Sequence, residues 1–212
     1  MNRVQVVSNF IYTFYIWIMR YILVYLLFLV NHSWGWGQFR EFNTSKQKID
    51  QHLMFSLGSW AFTNLVGSSI GWSISHNNEM KHFHQMNVMW NTVNIGLAIP
   101  GYFKARKLNN SLSFNETLEG QRKTEAVFLF NAGLDLAYIG SGMVLRSEAK
   151  STIEKADLYK GYGNSLVLQG GFLLLFDWIS YTVHRIHAKT NLSPVLEHIE
   201  FSDNGIGLKL NL

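Results

Sequence analysis

The chain has 212 residues and no cysteine. Disulfides, thiol catalysis and thiolate metal sites are therefore excluded. Charge is scarce as well: Asp, Glu, Lys and Arg make up 15%, against about 25% in an ordinary soluble domain. The net charge of +4 is mild and no basic run is interleaved with aromatics, which argues against nucleic acid as a partner. Catalytic signatures are missing too. There is no P-loop, HExxH or paired CxxC, and the GSSIG at 67–71 lies within an apolar helical span and not at a strand-to-helix elbow, so nothing assembles a nucleophile, a base and an oxyanion hole. No catalytic residue is assigned, and no internal repeat of fixed period is visible.

Apolar residues make up 48% of the chain, and aromatics 15%, with 7 Trp. The mean hydropathy of +0.03 is low for a multi-pass membrane protein, because polar linkers and Asn- and Ser-rich spans dilute it. The stretch from His82 to Gly96, HFHQMNVMWNTVNIG, shows the pattern best. At about 100° per residue, His84, Asn87, Asn91 and Asn94 fall on one narrow stripe. The other faces carry Phe83, Val88, Met89, Val93 and Ile95, and no charge follows Lys81 until Lys104. A soluble amphipathic helix shows water a broad charged face. This pattern suits a membrane helix whose polar seam faces other helices.

Four segments are long enough to cross a bilayer: Leu53–Ile74, Phe83–Phe103, Thr124–Leu145 and Tyr162–His184. Their loops are short, which predicts an all-α, transmembrane, antiparallel four-helix bundle over residues 38–187. In the first span Gly67 and Gly71 form a GxxxG for close helix approach. Pro100 ends the second, where a kink is tolerated. Residues 38–51 read as a lead-in capped at Thr44 or Ser45, 104–123 as a polar connection, and 188–212 as a polar tail. Within the tail GIGLKLNL alternates like a strand, without a visible partner strand. Residues 1–37 have two readings. Starting from Met19, a short positive start, an apolar run and Gly/Ser resemble a secretory signal peptide cleaved before Gln38. Alternatively, Val4–Val30 stays as a fifth hydrophobic helix containing Arg20.

Depths along the spans, at 1.5 Å per residue, decide which polar residues meet. With side A defined as the side where Leu53 begins, Asn64, Asn91, Asn94, Asn131, Asp135 and Asp177 all lie about 10–18 Å from it. They are expected to form one mid-membrane cluster, with Asn87 between it and side B. His84 is expected at the edge on side B, and Tyr181 and His184 toward the edge on side A, where histidines meet water and headgroups. His82-x-His84 and His184-x-x-His187 look like a four-histidine set, but they are nearly a membrane thickness apart and cannot share one metal. No cofactor or metal is therefore assigned; a haem or metal on His84 stays as an alternative.

Asp135 and Asp177 carry the sharper signal, because a carboxylate inside a span costs about 2.5–3.5 kcal/mol on insertion scales. No Lys or Arg sits at their depth. Neutral acids bonded to Asn64, Asn91 or Asn131 are the simplest arrangement, either as structural glue or as a proton-linked or ligand-binding pocket. Trp72 is placed for the interfacial belt, and Trp60, Trp90 and Trp178 for the bundle interior. Lys and Arg are denser on side A, which makes it cytoplasmic by the positive-inside rule; a cleaved signal peptide would put it outside.

The blocks GSWAFTNLVGSSIGW (58–72) and FHQMNVMWNTVNIGLA (83–98) resemble an uncharacterised family of small multi-pass membrane proteins from Bacteroidota, a domain of unknown function. The resemblance implies a bacterial membrane protein and transfers no catalytic residues; the inner membrane, crossed several times, is the expected location. The partners expected are the lipid bilayer and either other membrane proteins or a second copy of the chain. The reading of function is a polar bundle interior for small-ligand binding or partner scaffolding, with a proton-coupled component or small transporter as the alternative.

Overall fold

The computed structural model describes residues 3–107, 112–192, 199–202 and 205–208, with side-chain surroundings for 39–107 and 112–192. Four helices follow one another: α1 (Arg3–Ile74), α2 (Asn78–Arg106), α3 (Phe114–Glu148) and α4 (Ala156–Asn191). The chain divides into two compact units, Met1–Glu41 and Phe42–Leu212; the second is an all-α four-helix bundle and holds everything described below.

Local chemistry sets the helix ends. Asn77 caps α2 by accepting from the Met80 amide at 3.0 Å, and Glu79 stands in its first turn with Lys104 and Arg106 in its last, matching the helix dipole. Ser113 and Glu116 form a reciprocal capping box at the start of α3, which satisfies two otherwise orphaned amides. The expected polar connection 104–123 is thus much shorter: α3 begins ten residues before Thr124. Thr44 and Ser45 cap nothing either, because α1 runs through them without a break. Two short strands follow α4, β1 (Ile199–Ser202) and β2 (Gly205–Leu208), paired antiparallel from Ile199↔Leu208 to Ser202↔Gly205. The strand expected in the tail therefore has a partner, just upstream.

The helices alternate in direction, as contacts along the chain show. Gly58 lies against Ala98, and Gly71 against the His84 ring, so α1 and α2 are antiparallel. Phe128 stacks with His184 at 5.6 Å and Gly142 meets Gly163, so α3 and α4 are antiparallel too. Helix α4 packs against both α2 and α3. Close approach has a chemical basis: a Cβ on Gly142 would stand 2.7 Å from the Gly163 carbonyl oxygen, and one on Gly163 2.6 Å from that of Gly142. Backbone meets backbone there, and only hydrogen fits. In the GxxxG pair of α1, Gly71 makes room for His84, whereas Gly67 meets nothing within 4 Å.

The bundle buries the opposite of what a soluble domain buries. Its largest fully buried side chains are His184, Gln169, Asn87, Asn91, Thr117, Ser165 and Ser180. Half of the buried apolar residues are alanines: Ala61, Ala98, Ala105, Ala132 and Ala149, beside Phe42, Leu57, Phe128, Leu166 and Leu192. The large apolar side chains point outward, with Phe55 66% exposed, Phe130 68%, Leu175 65% and Val93 60%. Outward Ser and Thr hydroxyls are tied to their own helix: Ser69 donates to the Leu65 carbonyl, Ser73 to Ser69 and Thr92 to Val88, so they present little polarity. Helices α3 and α4 are each long and apolar enough to cross a membrane.

Candidate functional site: the polar interior

Buried positions on α4 recur at spacings of three, four and eight residues: Leu166, Gln169, Asp177, Ser180, His184 and His187, with Ser165 alongside. That spacing keeps them on one face. On α2 the buried set is Asn87, Asn91, Asn94 and Ala98, and on α3 Thr117, Gln121, Phe128, Ala132, Asp135 and Gly142. The polar interior is where these stripes converge. It has three levels.

Toward side B, Asn87 is the hub. Its Oδ1 accepts from Ser165 Oγ at 2.8 Å and from Gln169 Nε2 at 2.9 Å. Gln169 Oε1 in turn accepts from the Trp60 indole at 3.3 Å, and Trp60 stacks on Phe172 with centroids 3.9 Å apart. Three helices are tied together through one amide. Asn91, with no exposed surface, donates to the Asn87 backbone carbonyl at 2.8 Å, while its Oδ1 and the Asn94 Nδ2 have no protein partner among the described residues.

At the middle level the carboxyl groups of Asp135 and Asp177 are close enough to hydrogen-bond each other, and both residues are buried. A carboxylate has no donor, so a hydrogen bond between them needs one of the two carboxyls protonated. The acids therefore pair with each other and not with the asparagines. Asn64 lies apart from them, its amide donating to the Trp60 carbonyl at 3.0 Å. Asn131 is half-buried and makes no side-chain hydrogen bond among the described residues.

On side A the structure adds a group that the sequence reading did not single out. His184 Nε2 lies 3.0 Å from Asp50 Oδ1, out of line with the ring N–H direction, and Lys46 Nζ lies 3.0 Å from the other Asp50 oxygen. Burial pushes the Asp50 carboxyl up, but the His184 ring and the Lys46 ammonium outweigh it and hold it below the ordinary carboxylate range. His184 stacks on Phe128, and its backbone carbonyl accepts from Gln121 Nε2 at 3.0 Å. One turn on, His187 stacks on Phe42 at 4.5 Å. Burial, reinforced by His184 and Lys46 against the opposing Asp50, pushes the His187 imidazole below its usual value. The corrections here are physical. His184 is fully buried and meets no headgroup, because its phase on α4 is that of Asp177 and Ser180. Trp178, one residue out of that phase, is 58% exposed and so does not line the interior. His84 is half-buried with its ring in the notch at Gly71, and Tyr181 is half-buried beside Trp178.

The family comparison matches residues 56–178 to a family of unknown function, DUF6992. The chain belongs to this family. The DUF6992 match takes in the Asn87 hub and both carboxyls, while Asp50, His184 and His187 lie outside it. Neither the curated proteins nor the solved structures contain a match.

Proposed function

We propose that this DUF6992 member is a multi-pass integral membrane protein of the bacterial inner membrane that carries protons across it, binding them at the Asp135–Asp177 pair and exchanging them with side A through His184. Membrane integration is supported by the inverted burial: apolar side chains outward, amides, hydroxyls and imidazoles inward. Monomeric soluble proteins do not expose apolar surface on that scale. The outward spans carry no charge between Asp50 and Glu79, or between Lys81 and Lys104, each stretch long enough for a hydrocarbon core of about 30 Å.

The proton reading is carried by the single buried line Asp177, Ser180, His184 and His187 on α4. It runs about 15 Å along the helix axis and ends beside Asp50, whose side chain is 26% exposed. An imidazole takes a proton on one nitrogen and gives it from the other; His184 Nε2 faces Asp50 Oδ1 at 3.0 Å, while His184 Nδ1 and both ring nitrogens of His187 have no hydrogen-bond partner among the described residues. The acid pair at the end of the line holds one proton and has capacity for another, as intramembrane acids in proton relays do.

Reconstitution into liposomes enclosing a pH dye, driven by a potassium diffusion potential, tests this. Wild type should take up protons faster than empty liposomes, and Asp135→Asn with Asp177→Asn should match empty liposomes while keeping the wild-type melting temperature. Uptake by the double variant equal to wild type overturns the proposal.

A further inference from the structure

On side A a cavity of about 640 Å³ opens between α1, α2 and α3. Its rim is cationic, with Lys46, Lys104, Lys107 and Lys123 set against only Asp50 and Glu116. Both acids are already engaged, Asp50 by Lys46 and Glu116 by the Ser113 amide and hydroxyl. Lys104, Lys107 and Lys123 have no carboxylate partner among the described residues. Lys104 and Lys107 come from the end of α2 and Lys123 from the third turn of α3, and all three line this one opening. The inner wall is apolar: Met54, Gly101, Val127 and Phe128.

A second groove, of about 350 Å³, begins where the first ends. It lies between α1 and α2, shares Met54 with the cavity, and is lined by Phe55, Gly58, Phe62, Ala98, Ile99 and Phe103 among others. It runs from the side A end of both spans toward their middle. Small residues make the trough: Gly58 and Ala98 meet at 3.5 Å between the ideal Cβ of one and the Cβ of the other. A cationic head cavity joined through one methionine to an apolar trough of membrane depth has the chemistry of a single amphiphile.

We infer that this composite site holds one anionic phospholipid, with its phosphate headgroup at Lys104, Lys107 and Lys123 and an acyl chain along the Gly58–Ala98 trough. The inference rests on the membrane placement above and not on proton exchange. Basic pockets between membrane helices recognise anionic headgroups in this way, and each lysine near the surface contributes about a fivefold gain in binding. The trough supplies what a free anion would not use.

Carbonate extraction of the full chain from its host membrane comes first; release into the soluble fraction would overturn the membrane placement itself. The lipid site is then tested by native mass spectrometry in detergent, with phosphatidylglycerol, phosphatidylcholine and inorganic phosphate as separate probes. Phosphatidylglycerol should be retained in preference to phosphatidylcholine. Lys104→Gln with Lys107→Gln and Lys123→Gln should weaken that retention about 100-fold, and the three Lys→Arg substitutions should restore it. The same number of Lys→Gln changes on side B, at Lys150, Lys155 and Lys160, should leave it unchanged. Ser59→Phe, which fills the trough, should weaken phospholipid binding. Equal retention of the two lipids, a side B effect as large as that of side A, or binding of inorganic phosphate without phospholipid would each overturn the inference.

Discussion

The Asn87 hub gives the most quantitative test of the fold. Asn87→Leu keeps the number of side-chain heavy atoms and the branch at Cγ but removes the Oδ1 that accepts from Ser165 and Gln169. The Ser165 hydroxyl has a local substitute, since Ser69, Ser73 and Ser180 all donate to the carbonyl four residues back. The Gln169 amide does not, so most of the loss falls there. A buried donor left without an acceptor costs about 1–3 kcal/mol. Side-chain bonds between membrane helices average about 0.6 kcal/mol and reach about 1.7. Asn87→Leu should therefore cost about 1–2 kcal/mol. Gln169→Leu removes the donor instead. It leaves Asn87 bonded to Ser165 and frees only the long Trp60 bond of 3.3 Å, for about 0.5–1 kcal/mol. With both replaced, neither group is orphaned, and the double variant should be about 1 kcal/mol more stable than the sum of the singles predicts. Unfolding equilibria in mixed micelles titrated with sodium dodecyl sulfate measure all three. A coupling below about 0.3 kcal/mol refutes the hub.

Two further outcomes follow from the same structure. Gly163→Ala drives a Cβ to 2.6 Å from the Gly142 carbonyl oxygen and should cost about 1–3 kcal/mol as the helices part, whereas Gly133→Ala, with nothing within 4 Å, should be neutral or slightly stabilising; thermal unfolding in detergent compares them. For His187 the folded state binds protons more weakly than the unfolded chain, so stability is lost as pH falls from the unfolded value of 6.5 toward the lower folded one. His187→Phe, which keeps the stack on Phe42, should flatten the melting temperature in that window and leave intact the Asp50 contribution, whose lowered value confines its loss to pH below about 4. A profile unchanged by His187→Phe would refute the burial argument.

The bundle itself was legible from span length, charge-free stretches and short loops. The acid pair was legible too, because depth counting brings Asp135 and Asp177 to neighbouring levels. Its partnership was not, since an aspartate opposite an asparagine and one opposite an aspartate look alike on a depth scale. Gln169 was passed over because it carries no charge; its phase with Asp177, His184 and His187 was the signal that could have found it. Asp50 was missed for a different reason. It precedes the apolar span, and only the length of α1 shows that it stays on the interior face. Asn64 misled because an asparagine in a span invites a distant partner, whereas its amide is satisfied one turn away on its own helix.

Ser165, Gln169, Asp177, Ser180, His184 and His187 are fixed to a single helix. No one of them can be displaced as a rigid body without the rest. A turn of α4 about its axis by one residue, about 100°, would carry the whole series out of the interior at once and bring Trp178, Tyr181 and Arg185 in. The backbones meet at Gly142 and Gly163, with Leu166, Val167 and Arg146 packed around the contact, so these two glycines hold α4 in its phase. The interior is thus connected or broken as a unit, with α4 as its shaft.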